Sequence, residues 1–202
     1  FKKPVINFGH SMGSFVTRSY ITKYANDISA AVICGTSGKN PGAGAGIILA
    51  SLISKVKGEK HPSKLIDKIA FGTYNKRTEG RTAFDWLSRN MENVDWYIAN
   101  DDCGFLFTAS GYKNMFELLD SVSSDGWYRK VPKELKILLI AGEEDPVGAY
   151  SKGVKEVYEK LKATGHNVEC KLYKDDRHEI LNELDREHVF DDVIGFCDSI
   201  IK

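Results

Sequence analysis

The residues Gly9-His10-Ser11-Met12-Gly13 set a serine inside a G-x-S-x-G pattern. Five-residue patterns recur by chance, so the context decides what this one means. An apolar run, Pro4 to Phe8, precedes it, and a segment with helical spacing follows. A serine on a sharp strand-to-helix turn holds its hydroxyl clear of the sheet, where it can act as a nucleophile. Both flanking glycines are expected to be needed, because the turn is crowded and the helix must approach the strand closely. The N–H of Met12 would then lie at a helix N-terminus, where the helix dipole favours a developing oxyanion. The plain alternative is a turn with an N-capping serine.

A serine hydroxyl needs a base to take its proton, and the base needs a carboxylate to orient it. Asp145 lies four residues past an apolar strand, in Gly142-Glu143-Glu144-Asp145-Pro146-Val147, where Pro146 stiffens the loop. His178 lies five residues past another, in Lys174-Asp175-Asp176-Arg177-His178-Glu179. Ser11, Asp145 and His178 therefore share one rim of a parallel sheet, the rim that carries active sites in open α/β sheets. The other histidines fit less well. His10 is expected to point away from Ser11, His61 precedes a proline, His166 falls at the opposite end of the sheet, and His188 opens the last helix. All four read as surface residues. Glu143 and Glu144 are alternative acids, though they follow the strand closely, and Asp175 and Asp176 read as solvated.

The elements that must position these residues can be read from periodicity. Pro4–Phe8 and Ala30–Cys34 are short buried strands joined by a helix over about 12–25, a βαβ unit and hence a parallel sheet. From Lys39 to Val131 no strong strand signal appears, and 46–56, 63–71, 82–89, 92–100 and 108–123 look helical. The α/β pattern resumes with a strand over 136–141, a helix over 149–164, an alternating edge strand over 167–173 and a helix over 186–201. On that last helix Val189, Phe190, Val193, Ile194, Cys197, Ile200 and Ile201 are expected to share a face. The organisation is thus core over 1–38, a helical lid insertion over 39–131, and core again over 132–202. Pro41 to Gly46 fails both GxGxxG and the Walker pattern, and reads as a hinge at the start of the lid. The insertion holds 12 of the chain's 22 aromatics, among them Trp86, Trp96, Phe105, Phe107 and Trp127. They could line an acyl pocket or simply build the insertion's own core.

Composition narrows the class. Twenty-eight basic and 28 acidic residues cancel, which gives no reason to expect nucleic acid or an anionic membrane as the main partner. A hydrophobic content of 42% in 202 residues fits a globular chain, and no apolar run reaches the length of a membrane span. Cys34, Cys103, Cys170 and Cys197 form no CxxC pair, so zinc or a disulfide framework is not expected. Cys34, Cys170 and Cys197 read as buried thiols, which suits a reducing, cytoplasmic setting. The chain opens with Phe and enters a strand at once, so its natural N-terminus need not be present.

The elbow Gly9 to Ser14, the loop Ala141 to Val147 and the segment Arg177-His178-Glu179 together resemble the α/β-hydrolase superfamily. The closest branch is the lysophospholipase, monoacylglycerol-lipase and serine-aminopeptidase-like group. Phe84-Asp85-Trp86-Leu87-Ser88-Arg89 and Asp102-Cys103-Gly104-Phe105 are similar to that branch too. The resemblance implies Ser11 as nucleophile, His178 as base, Asp145 as its orienter and the Met12 N–H as one oxyanion donor. It implies a small ester or lipid substrate, with no cofactor, metal, nucleic acid or stable membrane insertion. Cleavage of monoacylglycerol or lysophospholipid-like esters through an acyl-enzyme is the leading expectation. An amidase or aminopeptidase on the same triad, or a non-catalytic module, is the alternative. Family members carry further strands ahead of the elbow, with a His-Gly loop giving a second oxyanion N–H, and this sequence has no His-Gly dipeptide. A missing N-terminal segment, or a second copy of the chain, is therefore the expected partner of the elbow strand's open edge.

Overall fold

The computed structural model describes residues 3–201. Strands β1 (Ile6–His10), β2 (Ala30–Cys34), β3 (Lys136–Gly142) and β4 (Val168–Tyr173) form one sheet in the order β1-β2-β3-β4. Every pairing is parallel. Parallel strands need crossovers, and α1 (Met12–Ile21) and α6 (Lys152–Ala163) supply two of them. The connection from β2 to β3 carries α2 (Ala43–Lys57), α3 (Lys64–Phe71), α4 (Met91–Ala99) and α5 (Ala109–Ser123). Helix α7 (Arg186–Ile201) follows β4.

Both faces of the sheet are covered, as an all-parallel sheet requires. Alternation sorts the strand residues. Ala31, Ile33, Ile137, Leu139 and Ala141 join Ile21, Val154, Val157 and Leu161 on one face. Ala30, Val32, Cys34, Leu138 and Ile140 meet Val189 and Phe196 of α7 on the other. The insertion has its own core around Ala50, Ile66 and Tyr112, ringed by Phe71, Phe107 and Phe116. It reaches the sheet domain where Leu119 and Val122 of α5 pack on Phe15 of α1. Among the described residues no helix is long and apolar enough to cross a membrane.

Several local expectations change. Residues 41–46 are no hinge: α2 begins at Ala43, and a side chain on Gly46 would meet the Phe116 ring, so this glycine lets α2 and α5 approach. The segment 82–89 keeps only a short 3-10 turn, Asp85–Leu87. Helix α6 starts at Lys152 because Ala149, Tyr150 and Ser151 adopt positive φ of 50, 56 and 72°. On α7 the buried face is Val189, Val193, Phe196 and Ile200, while Ile194 and Ile201 are exposed. Cys34 is buried, but Cys170 and Cys197 are only partly so.

Candidate active site

Ser11 sits between β1 and α1 with φ 56° and ψ −123°, a backbone conformation that a non-glycine residue adopts only when the surroundings enforce it. The enforcement is visible. The Ser11 N–H donates to the Cys34 carbonyl at 3.0 Å, continuing the β1–β2 ladder. The Ser14 N–H and hydroxyl both donate to the Ser11 carbonyl, at 2.9 and 2.6 Å. A Cβ on Gly9 would collide with the Gly13 carbonyl and the Thr17 hydroxyl, so this position must be glycine. Gly13 differs from expectation, since a Cβ there meets nothing. The serine caps no N–H of α1, which removes the plain capping reading. Met12 is the first residue of α1, so its N–H has no intrahelical acceptor and stands beside Ser11.

Asp145 and His178 meet at the same rim. His178 Nδ1 lies 3.0 Å from Asp145 Oδ2, with the two residues 2% and 0% exposed. A carboxylate accepts, so Nδ1 carries the proton, and in the neutral ring this tautomer leaves the lone pair on Nε2. The other Asp145 oxygen accepts the Val147 N–H at 2.8 Å, across Pro146. Glu144 does not compete. It faces Arg77 at 3.6 Å instead.

Two rings stand close to the imidazole of His178. The His10 ring is 4.5 Å away centroid to centroid, and the Trp86 ring 5.2 Å. His10 therefore does not lie idle on the surface. Its Nε2–H donates to the His178 carbonyl at 3.0 Å, and this residue joins the elbow directly to the histidine loop. Burial, with His178 close by, pulls the His10 imidazole down to about 4, so it is neutral at pH 7. Gly35, at the end of β2, has φ 58°, and a Cβ there would stand 3.1 Å from His178 Cε1. A side chain at 35 would push the base out of place. Neither His10 nor Gly35 was visible as a site residue in the sequence, because both act through contacts distant along the chain.

The histidine loop is enclosed. A Cβ on Gly142 would strike the carbonyls of Asp176 and Arg177, and the Glu144 N–H donates to the Asp176 carbonyl at 2.9 Å. Asp176 is buried rather than solvated, and it pairs with Arg89 of the insertion. The Glu179 N–H donates to the Leu87 carbonyl at 2.7 Å, and Arg177 Nη1 to the Asp85 carbonyl at 2.7 Å. The segment Phe84–Arg89 thus grips the base's loop. His166, by contrast, is a buried structural residue, with Nε2 2.9 Å from the Val131 carbonyl. Trp127 is also structural, since it lies in the sheet core under the Arg18 guanidinium at 4.4 Å.

A parallel sheet with a strained serine at one strand end and a buried Asp–His pair at the same rim defines an α/β hydrolase. Residues 1–185 match the family described as "Serine aminopeptidase, S33". The chain belongs to that family, within the α/β-hydrolase superfamily. A highly thermostable carboxyl esterase from Bacillus coagulans, solved with glycerol, is 30% identical with a TM-score of 0.91, over 98% of this chain and 66% of that one. A lipase in its open form is 26% identical with a TM-score of 0.87, over the same shares, 98% and 66%. A soluble variant of monoglyceride lipase from Saccharomyces cerevisiae, solved with a substrate analogue, shares the fold. It is 17% identical with a TM-score of 0.71, over 98% of this chain and 63% of that one. The chain thus spans just under two thirds of the length of these proteins. Comparison with curated proteins finds no match.

Proposed function

We propose that this chain carries the catalytic triad of a serine hydrolase acting on carboxylic esters, most readily monoacylglycerol or lysophospholipid-like lipids. The observation that carries the reading is the buried Asp145–His178 pair, 3.0 Å across, joined through His10 to the strained turn that bears Ser11. His178 Nε2 takes the Ser11 Oγ proton as the oxygen attacks the ester carbonyl. The Met12 N–H steadies the oxyanion, and the same proton passes to the leaving alkoxide. Water, deprotonated by His178, then releases the acid from the acyl-enzyme. No metal or organic cofactor enters these steps.

The site is built to be completed. Removing one oxyanion donor costs about 10²–10³ in rate in other enzymes, so a second N–H beside Met12 matters. Strand β1 is an edge of the sheet, and Val5, Phe8 and Val16 around it are 54, 40 and 51% exposed. An apolar edge strand of this kind takes a partner. In this reading a further N-terminal segment fills it, and a second copy is the alternative occupant.

The family's description as serine aminopeptidases favours a second reading, amide cleavage by the same triad. Matched p-nitrophenyl ester, monoacylglycerol, lysophospholipid and aminoacyl-anilide substrates separate the two. Ester turnover is expected, falling by at least about 10⁴-fold in Ser11→Ala. Faster anilide cleavage would favour the aminopeptidase reading, and turnover of neither would leave a non-catalytic module.

A further inference from the structure

The histidine loop and the helical insertion are distant in sequence, yet one carboxylate bonds to both. Glu183 is fully buried, at 0% exposure. Its Oε1 accepts the Arg89 N–H at 2.9 Å and the Arg177 N–H at 3.1 Å. Its Oε2 accepts the Leu184 N–H at 3.3 Å and lies 3.3 Å from Arg89 Nε. A carboxylate buried without such donors would be costly, so the bonds and the burial imply one another. Around this centre Arg89 also pairs with Asp176 and, at 2.7 Å, with Asp185. Asn90 Nδ2 donates to the Asn182 carbonyl at 3.2 Å, and Asn93 Nδ2 to Glu179 Oε2 at 2.7 Å. Arg177 is the residue immediately before His178, so a bond to its N–H anchors the backbone next to the base.

We propose that Glu183 is a positioning residue: its carboxylate staples Arg89 of the insertion to the histidine loop and thereby sets where the His178 ring stands. The inference rests on the serine-hydrolase reading for its meaning, though not for its geometry. With the bonds from Asn90 and Asn93, this makes that part of the insertion a frame for the base. Trp86 fits the same view, since it comes from this frame and packs on the His178 ring.

The test compares Glu183→Ala, Glu183→Gln and Glu183→Asp in the intact chain. Glutamine keeps an oxygen that can accept both N–H groups, loses the charge and turns an amide NH2 towards the Leu184 N–H and Arg89 Nε. Aspartate keeps the charge, but its shorter stem cannot reach both. Two signals are read: the rate at which a fluorophosphonate labels Ser11, and the nitrogen-15 NMR signal of the His178 Nδ1–H bonded to Asp145. Positioning predicts labelling slower by about 10- to 100-fold in the Ala and Asp variants, with the Nδ1–H signal broadened, and a smaller loss in the Gln variant. Should Glu183→Ala fail to fold, the Gln and Asp variants decide alone. Wild-type labelling and an unchanged Nδ1–H signal in Glu183→Asp would overturn the inference, as would a Gln variant no better than Asp. A wild-type chain that shows the Nδ1–H signal but labels neither alone nor with the β1 edge filled would refute the hydrolase reading, and the NMR comparison would still judge Glu183.

Discussion

Two buried groups beside His178 titrate in opposite senses. The His10 imidazole, drawn down from 6.5 to about 4 by burial and by His178, binds its proton more readily in the unfolded chain. Its contribution to stability is therefore lost as pH falls from 6.5 towards 4. Burial, with Glu183 and Asp185 nearby, pushes the Asp176 carboxyl up from 3.8 to about 7. That group holds its proton better in the folded chain, so its contribution is lost as pH rises from 3.8 towards 7. In wild type the two slopes oppose each other. Melting temperature followed between pH 4 and 6.5 should rise with pH in Asp176→Asn and fall with pH in His10→Asn, relative to wild type. Parallel curves for the two variants would contradict these assignments. The positions of Ser11, Asp145 and His178 beyond strand ends could be read from the sequence because each follows an apolar strand with a recognisable spacing. His10, Gly35 and Asp176 could not, because what fixes their roles is a ring, a missing Cβ and an arginine from elsewhere in the chain.

Elements with a strong period were placed well from sequence, and those whose ends depend on a special backbone were not. Strand β2 and the body of α7 follow from apolar runs, whereas the start of α6 is displaced by the positive-φ residues Ala149 to Ser151. No propensity signals such a run. The glycines of α2 invited a hinge because the Phe116 ring that Gly46 accommodates lies on another helix. Arg18 shows the same limit. It lies on α1 as one basic residue among many, yet it is buried, with Nη1 donating to the Ser37 carbonyl at 2.7 Å and Nη2 to the Val122 carbonyl of α5. The guanidinium therefore ties the elbow helix to the insertion. Arg18→Ala leaves those carbonyls without donors and should cost about 3 kcal/mol. In a chain of this size that lowers the melting temperature by about 10 °C. Calorimetry showing an unchanged midpoint would mean that the bonds contribute nothing net.

At the scale of the molecule, a four-stranded parallel sheet presents a serine, a carboxylate and an imidazole along one rim, and the insertion docks on that rim from outside. The α/β class and the helical nature of 39–131 were legible because strand and helix periods differ. The grip of the insertion on the histidine loop was not, because polar contacts between distant segments leave no periodic trace. The edge of β1 is open among the described residues, and the chain covers 66% of the carboxyl esterase relative, so the proposed completion of the oxyanion site can be tested by filling that edge. The most direct test of the central claim is intact mass with and without a fluorophosphonate, followed by peptide mapping, for the chain alone and with the part of the carboxyl esterase relative that this chain does not cover supplied in trans. The account predicts a single adduct on Ser11, absent in Ser11→Ala and faster to form when the edge is filled. A folded chain whose Ser11 stays unlabelled under both conditions would contradict it.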